Sequence, residues 1–381
     1  MSATTCPSCG AELAADAKFC EGCGKPVGDP AAASGTPPAA APDAASEDLG
    51  SGPISAPTHI TPVATEAPPQ GGRRPCVSCG GNVGPDQYCE QCGTKQPSER
   101  DHFREAPAPW VAGVCDRGIR HTRNEDAMAL LASSTAGERA ALVVLDGVSN
   151  TDDSDQASLA GARAAREVLR TPLPRGMGTP ESRLSAVTSV FADAVKAAND
   201  AVVAITPEGS DHPPSATFVA AIVEGSTLTY ANVGDSRAYW LPDGAPGVQL
   251  TVDDSAAQLQ MEAGMSRLEA ETGPQGHAIT RWLGRDAPDL APRVGERTLD
   301  APGWVLVCSD GLWNYASEPE ALVAQIAAAG TTEPGALALA LTGFANAQGG
   351  QDNITVALAR IDGQNADAAP TDKAEQKESD G

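Results

Sequence analysis

Basic side chains are scarce in this 381-residue chain: 26 Lys and Arg stand against 50 Asp and Glu, for a net charge of −24. Nucleic acid and anionic membrane surfaces are recognised through clustered Lys and Arg, so neither is expected as the main partner. Phosphorylated substrates stay open, because bound cations invert the local sign. No apolar run reaches the length of a membrane span, and the start, Met1-Ser2-Ala3-Thr4-Thr5-Cys6, has no basic stretch leading into an apolar one. Neither membrane insertion nor secretion is expected, and a cytoplasmic location follows. Histidine is also short, five residues without a ligand cluster, which argues against a zinc hydrolase. A cysteine phosphatase needs Arg six residues after its Cys, but His121 stands there after Cys115 and Asn314 after Cys308. No Gly-x-Ser-x-Gly elbow or Walker loop is apparent.

What the chain does have begins with ten cysteines, eight of them in four Cys-x-x-Cys pairs. Cys6 and Cys9 precede Cys20 and Cys23, and Cys76 and Cys79 precede Cys89 and Cys92. In a reducing compartment such paired spacing is a metal signature rather than a disulfide framework. Four thiolates in two tight turns suit one tetrahedral Zn2+, so two structural zinc ions are expected. Gly10, Gly24, Gly80 and Gly93 follow the second cysteines, letting the turn close so that backbone amides approach sulfur. Units of this size need a metal staple to fold. Both look like zinc ribbons of the short bacterial type, and they either hold themselves folded or also dock a partner.

Residues 1–27 and 73–97 are read as the two ribbons. Residues 28–72, rich in Ala, Pro, Gly, Ser and Thr, read as a disordered linker spanning roughly 40 Å. Residues 98–109, ending Ala106-Pro107-Ala108-Pro109, read as a second tether. A folded domain is expected over 110–361, followed by a disordered acidic tail over 362–381. Within the domain, strands are expected at 110–117, 139–146, 217–223, 227–233, 236–241, near 247–251, 303–309 and 353–361, and helices at 156–171, 184–204, 317–329 and 334–347. The pair flanking Glu224-Gly225-Ser226 reads as a hairpin. Many antiparallel strands with helices inserted in pairs predict an α+β fold of two sheets with helices outside.

Acidic residues then stand where the strands end. Leu142-Val143-Val144-Leu145 runs into Asp146-Gly147, Trp304-Val305-Leu306-Val307 runs to Ser309-Asp310, and Asp352-Asn353 opens Ile354-Thr355-Val356. Asn124-Glu125-Asp126 completes the set. Carboxylates gathered at strand tips repel one another unless a cation lies between them, so a divalent metal centre is predicted. The run Asp152-Asp153-Ser154-Asp155 is read instead as a cap for a helix starting at Gln156.

Six segments in order resemble the metal-dependent serine/threonine protein phosphatases, the PPM or type 2C family. They are Asp116-Arg117-Gly118-Ile119-Arg120-His121-Thr122-Arg123-Asn124-Glu125-Asp126, Val144-Leu145-Asp146-Gly147, Ser215-Ala216-Thr217, Ala231-Asn232-Val233-Gly234-Asp235-Ser236-Arg237-Ala238, Ser309-Asp310-Gly311-Leu312-Trp313 and Gln351-Asp352-Asn353-Ile354-Thr355. The resemblance implies a β-sandwich of two mostly antiparallel sheets flanked by helices. It also implies hydrolysis of phosphoserine or phosphothreonine in proteins by a water shared between two Mn2+ or Mg2+ ions. By the same resemblance Asp146 bridges both ions, Asp310 and Asp352 hold one, and Glu125 with the Gly147 carbonyl holds the other. Asp126 hydrogen-bonds metal waters, and Asp235 helps Asp310 hold a weaker third ion. Where the family often has a phosphate-binding Arg, this chain has His121, with Arg120 and Arg123 on either side, and either Arg could take that contact. Val148-Ser149-Asn150 stands where some members carry a His proposed as general acid, and others Met-Gly-Gly. The expected partners are phosphorylated proteins, with a serine/threonine kinase and its substrates implied by the resemblance. Residues 253–292 resemble the family's mobile flap. The alternative is a catalytically silent adaptor of the same fold that works through its ribbons.

Overall fold

The computed structural model describes residues 4–5, 12–13, 81–84, 88–93, 96, 98–148 and 151–362. The chain divides into two units, Met1–Gly72 and Arg73–Gly381. In the first, β1 (Thr4–Thr5) pairs antiparallel with β2 (Glu12–Leu13). The expected linker 28–72 and all but the first residue of the acidic tail lie outside the described residues.

The second unit runs β3 (His102–Ala108), β4 (Val111–Asp116), β5 (Ala127–Ala132), β6 (Arg139–Leu145), α1 (Ser154–Val168) and α2 (Pro180–Ile205). It continues β7 (Ser215–Ala216), β8 (Phe218–Glu224), β9 (Thr227–Val233), β10 (Arg237–Pro242), β11 (Val248–Gln249), α3 (Ala256–Glu262), α4 (Arg267–Thr272), β12 (Leu283–Gly284) and β13 (Arg293–Thr298). It closes with β14 (Gly303–Cys308), α5 (Asp310–Trp313), α6 (Pro319–Ala329), α7 (Pro334–Ala347) and β15 (Ile354–Ile361). One antiparallel sheet has the order β11-β10-β14-β15-β4-β3 and the other β13-β9-β8-β6-β5. The predicted α+β sandwich is the observed one.

The central strands read as continuous apolar runs because both of their faces are buried. Leu142 and Val144 of β6 pack against Trp240, Val305 and Ala357 of the opposite sheet. Their neighbours Ala141, Val143 and Leu145 point the other way, into a core shared with Phe191, Val195 and Ala162 of α1 and α2. On the far side Val356 and Leu358 of β15 pack on Leu337 and Leu341 of α7. Burying a side chain such as Phe191 contributes about 1.5–3 kcal/mol. The order is therefore helices, sheet, sheet, helices.

Two expectations need correction. Residues 98–109 are not a tether: β3 pairs with β4 as the edge of its sheet, with a register shift between Glu105 and Ala108. The Ala-Pro repeat suggested a spacer, but proline is tolerated on an edge strand and at a bulge, and Pro107 occupies both. The acidic run before α1 does not cap it through a side chain. The helix starts at Ser154, and Asp153 takes a left-handed backbone (φ 48°) with no side-chain cap. The sequence reading also passed over β5, β7, β12, β13 and α3 to α5: β7, β12 and α3 to α5 are short, and β13 is mostly polar.

Candidate metal centre

Strand ends place the acidic residues at one edge of the sandwich. The end of β6 at Leu145 lies opposite the start of β5 at Ala127, and the end of β9 lies opposite the start of β8. In the other sheet Asp116 pairs with Ile354, and Cys308 with both Val356 and Arg237. Asp126, Asp146, Asp235, Asp310 and Asp352 thus come from five chain segments to one rim.

Backbone turns hold them there. Thr217 donates its N–H to the Asp146 carbonyl (2.8 Å), receives the Asp146 N–H on its hydroxyl (3.1 Å), and shares a hydrogen bond with Ser236 (2.7 Å). This explains the Ser-Ala-Thr segment: it clips the Asp146 turn to the Asp235 turn. A Cβ at Gly147 would fall 2.5 Å from the Glu125 carbonyl oxygen, so only glycine lets these two turns approach. Asn353 accepts the Glu125 N–H (2.7 Å) and donates to the carbonyls of Arg117 (2.7 Å) and Arg123 (3.1 Å), pinning the Arg117–Glu125 loop.

Asp126 is wholly buried. Its Oδ2 accepts from Ser309 (2.6 Å) and Thr355 (2.8 Å), while Oδ1 has no hydrogen-bond partner among the described residues. The neighbouring Asp146 carboxylate can satisfy that oxygen only by carrying a proton. Burial raises the Asp126 carboxyl to about 6, with the Ser309 hydroxyl holding it down and the Asp352 charge pushing it further up. Burial, then the Asp253 charge, lifts Asp235 to about 7, partly offset by Arg237. Asp146 and Asp310 are driven well above the usual carboxylate range, first by burial and then by the other aspartates. Among the described residues no three Asp, Glu, His or Cys side chains are gathered tightly enough to hold an ion as they stand. The carboxylates are close enough to repel and are not drawn onto one point. An all-oxygen donor set with an orphaned buried carboxylate oxygen is nevertheless the chemistry that suits Mg2+ or Mn2+.

The two arginines left open by the sequence differ in their surroundings. Arg123 is committed to Glu125 Oε1 (2.9 and 2.7 Å), the Thr151 carbonyl (2.7 Å) and Ser154 (3.2 Å). Ser154 adds its own hydroxyl to Glu125 Oε1 (2.6 Å). Arg120 is exposed on the same loop, and its guanidinium makes no hydrogen bond or ion pair among the described residues. His121 lies between carboxylates from the two sides of the rim, its Nε2 3.2 Å from Asp352 and its Nδ1 3.6 Å from Glu125. Beyond Val148, the loop residues Ser149 and Asn150 lie outside the described residues.

Within residues 253–292, Leu268, Glu271, Thr272 and His277 line a cleft beside Asp310 and Asp352, and two adjacent aspartates fasten the segment. Asp253 receives the wholly buried Arg237 through both oxygens (2.7–3.1 Å), and Arg237 also reaches Glu271 (2.8 Å) and Ser317 (3.0 Å). Its guanidinium sits 3.6 Å above the Trp313 ring, whose Nε1–H donates to the Asp235 carbonyl (2.9 Å). Asp254 pairs with Arg281 (3.2 Å) and Arg293 (2.9 Å) and accepts the Gly234 N–H (3.1 Å). The sequence reading missed the parts played by Ser309, Thr355 and Trp313, although all three stand inside the quoted segments. It missed His277 altogether, which carries no local signal.

Of the eight paired cysteines only Cys89 and Cys92 are described; Cys6, Cys9, Cys20, Cys23, Cys76 and Cys79 lie outside the described residues. Cys89 Sγ accepts the N–H groups of Gln91 (3.4 Å) and Cys92 (3.5 Å), and the Gly93 N–H returns to the Cys89 carbonyl (2.9 Å) at φ +72°. This is the tight turn that glycine after the second cysteine was expected to permit.

Comparison with known proteins agrees with the arrangement. The zinc-ribbon domain family matches residues 5–27, and the Protein phosphatase 2C family matches residues 118–336. The chain is 36% identical over 153 residues to the protein phosphatase PhpP of Streptococcus pneumoniae, covering 39% of this chain and 58% of that protein. It is 31% identical over 253 residues to the serine/threonine protein phosphatase PstP of Mycobacterium tuberculosis, covering 66% of this chain and 44% of that protein. The chain thus spans about half the length of the curated relatives it matches. Among solved structures, the serine/threonine phosphatase of S. agalactiae superposes with a TM-score of 0.54 at 24% identity, covering 68% of this chain and all of that one (100%). The M. tuberculosis phosphatase PstP/Ppp superposes with a TM-score of 0.52 at 27% identity, covering 66% and 98%. The family match spans more than half of the chain and includes Asp126, Asp146, Asp235 and Asp310 of the rim on this helix-flanked double sheet, and it makes this chain a member of the protein phosphatase 2C family.

Proposed function

We propose that the chain is a metal-dependent phosphatase acting on phosphoserine or phosphothreonine in proteins. The observation that carries this reading is the convergence of Asp126, Asp146, Asp235, Asp310 and Asp352 on one rim, the first four with carboxyls pushed up by burial and by neighbouring carboxylates, a repulsion that a cation would offset. Asp146, Asp310 and Asp352, with Glu125 and the Gly147 carbonyl, would hold two Mn2+ or Mg2+ ions, and Asp235 a weaker third. Bound there, such ions supply Lewis-acid activation of water and neutralise phosphate charge. Asp126, locked by Ser309 and Thr355, would accept a hydrogen bond from water at the rim. Arg120, the uncommitted guanidinium of the loop, would take the phosphate oxygens, while Arg123 orients Glu125. No histidine follows Gly147, so the leaving alkoxide would take its proton from water.

The zinc-ribbon match supports one Zn2+ on Cys6, Cys9, Cys20 and Cys23. The sulfur-capped turn at Cys89 supports a second on Cys76, Cys79, Cys89 and Cys92. The ribbons would position phosphorylated partners, a serine/threonine kinase and its substrates among them. Among the described residues no helix is long and apolar enough to cross a membrane, and a cytoplasmic site of action is proposed.

The test is hydrolysis of an aryl phosphate and a phosphothreonine peptide by the full chain with Mn2+, Mg2+ or EDTA, beside Asp310→Ala. Mn2+-dependent turnover that EDTA and the substitution both remove is expected. A folded, metal-loaded chain without turnover would instead favour the silent adaptor.

A further inference from the structure

A cleft of about 590 Å3 opens beside Asp310 and Asp352 and runs between α4 and the segment that follows β14. Its far wall comes from residues 253–292 and includes Leu268, Thr272 and His277. Leu268 is 73% exposed, among the largest apolar exposures in the described chain. His277 is also exposed, yet its place is set. Its ring stacks on Trp313, with centroids 6.4 Å apart and planes 29° apart. The turn beneath it folds back so tightly on α4 that a Cβ at Gly276 would lie 2.1 Å from the Glu271 carbonyl oxygen. Its next residue, Ala278, is tied to α3 through the Ala256 N–H (2.8 Å).

We infer that Leu268 and His277 form a subsite for the chain flanking the phosphorylated residue, and that the subsite favours an extended segment with an apolar side chain. The inference rests on the phosphatase reading, which puts phosphorus at the aspartate rim. From there an extended peptide advances about 3.3 Å per residue and must leave along the surface. The cleft is lined by the rim carboxylates Asp310 and Asp352 and by His277. The two ring nitrogens of His277 are hydrogen-bonding groups within reach of the N–H and C=O that every peptide unit carries. Held against Trp313, the ring meets the main chain without first losing rotamer freedom. Leu268, on the helix beside it, is left exposed by the fold and gains most from an apolar side chain laid against it. The charged side chains of the cleft argue the same way, because Glu271 is already paired with Arg237 (2.8 Å) and Arg267 (3.1 Å). A flanking cation would find no unpaired carboxylate there apart from those assigned to metal.

The test compares three substrates on the full Mn2+-loaded chain: an aryl phosphate, a phosphothreonine peptide flanked by Leu, and the same peptide flanked by Asp. His277→Ala is expected to lower kcat/KM for the Leu peptide about tenfold more than for the aryl phosphate. Leu268→Asp, a surface change that leaves the core untouched, is expected to erase the preference for the Leu peptide over the Asp peptide. Equal losses on peptide and aryl phosphate, or an unchanged peptide preference in Leu268→Asp, would overturn the subsite while the phosphatase reading stands. No aryl phosphate turnover by the parent chain would overturn that reading and the subsite with it.

Discussion

At the scale of single residues, neighbouring arginines on one loop have different tasks. Arg123 satisfies a buried carboxylate: Glu125 keeps 4% of its side-chain surface, and Arg123 and Ser154 supply its donors. Arg120 projects outward from the same loop. Arg123→Gln is therefore expected to cost about 1–3 kcal/mol of stability, because charge-assisted hydrogen bonds to a buried acceptor are lost. Arg120→Gln should leave the melting temperature within a degree or two, since surface changes of this kind stay near ±0.5 kcal/mol. It should instead weaken inhibition by inorganic phosphate. Thermal melts and phosphate inhibition constants on both variants check the division, and equal melts with reversed inhibition would sink it. The sequence made both arginines visible but not their difference, which depends on where Ser154 and the Thr151 carbonyl come to lie.

At the scale of elements, Arg237 is the hinge between the α3–α4 segment and the sheets. It is wholly buried, and its charge is balanced by Asp253 and Glu271 from that segment. Removing one partner of such a pair leaves an uncompensated buried charge, at about 3–5 kcal/mol. Arg237→Met is expected to lower the unfolding free energy by that amount, seen as a fall in the urea midpoint. Asp253→Asn in the same chain should recover part of it, because the stranded carboxylate is gone. A urea titration of the single and double variants reads the coupling, and strict additivity would show that Asp253 is not the stranded group. Strands and long helices were legible here because a continuous apolar run and an apolar period of 3.6 are both local. The edge strand β3 was not, since its sequence reads as a proline spacer and only pairing with β4 makes it a strand.

At the scale of the whole molecule, the aspartate rim sets the response to pH. Asp126 at about 6, Asp235 at about 7, and Asp146 and Asp310 well above the ordinary value all bind protons more tightly in the fold than in the unfolded chain. The contribution of Asp126 and Asp235 to stability is complete below the unfolded value near 4 and is lost as pH rises through about 6 to 7, and Asp146 and Asp310 act in the same direction. The metal-free protein is expected to be more stable at pH 5 than at pH 8, and Mn2+ should restore stability at the upper end. All five tryptophans, Trp110, Trp240, Trp282, Trp304 and Trp313, lie within residues 110–361, so their fluorescence follows this domain when EDTA is added. A metal-free midpoint that rises from pH 5 to pH 8 would contradict the sign.

The sequence by itself determined the α+β class, the positions of the long strands and helices, the paired cysteines and the set of acidic strand ends, since each is a local pattern of period, turn or spacing. Tertiary structure decided what those residues meet. It brought five aspartates to one rim, gave Arg123 to Glu125, set His121 between Glu125 and Asp352, and stacked His277 on Trp313 beside the cleft. Contacts such as His121 with Asp352 and His277 with Trp313 join residues far apart in the chain, and burial, not local propensity, fixes their partners.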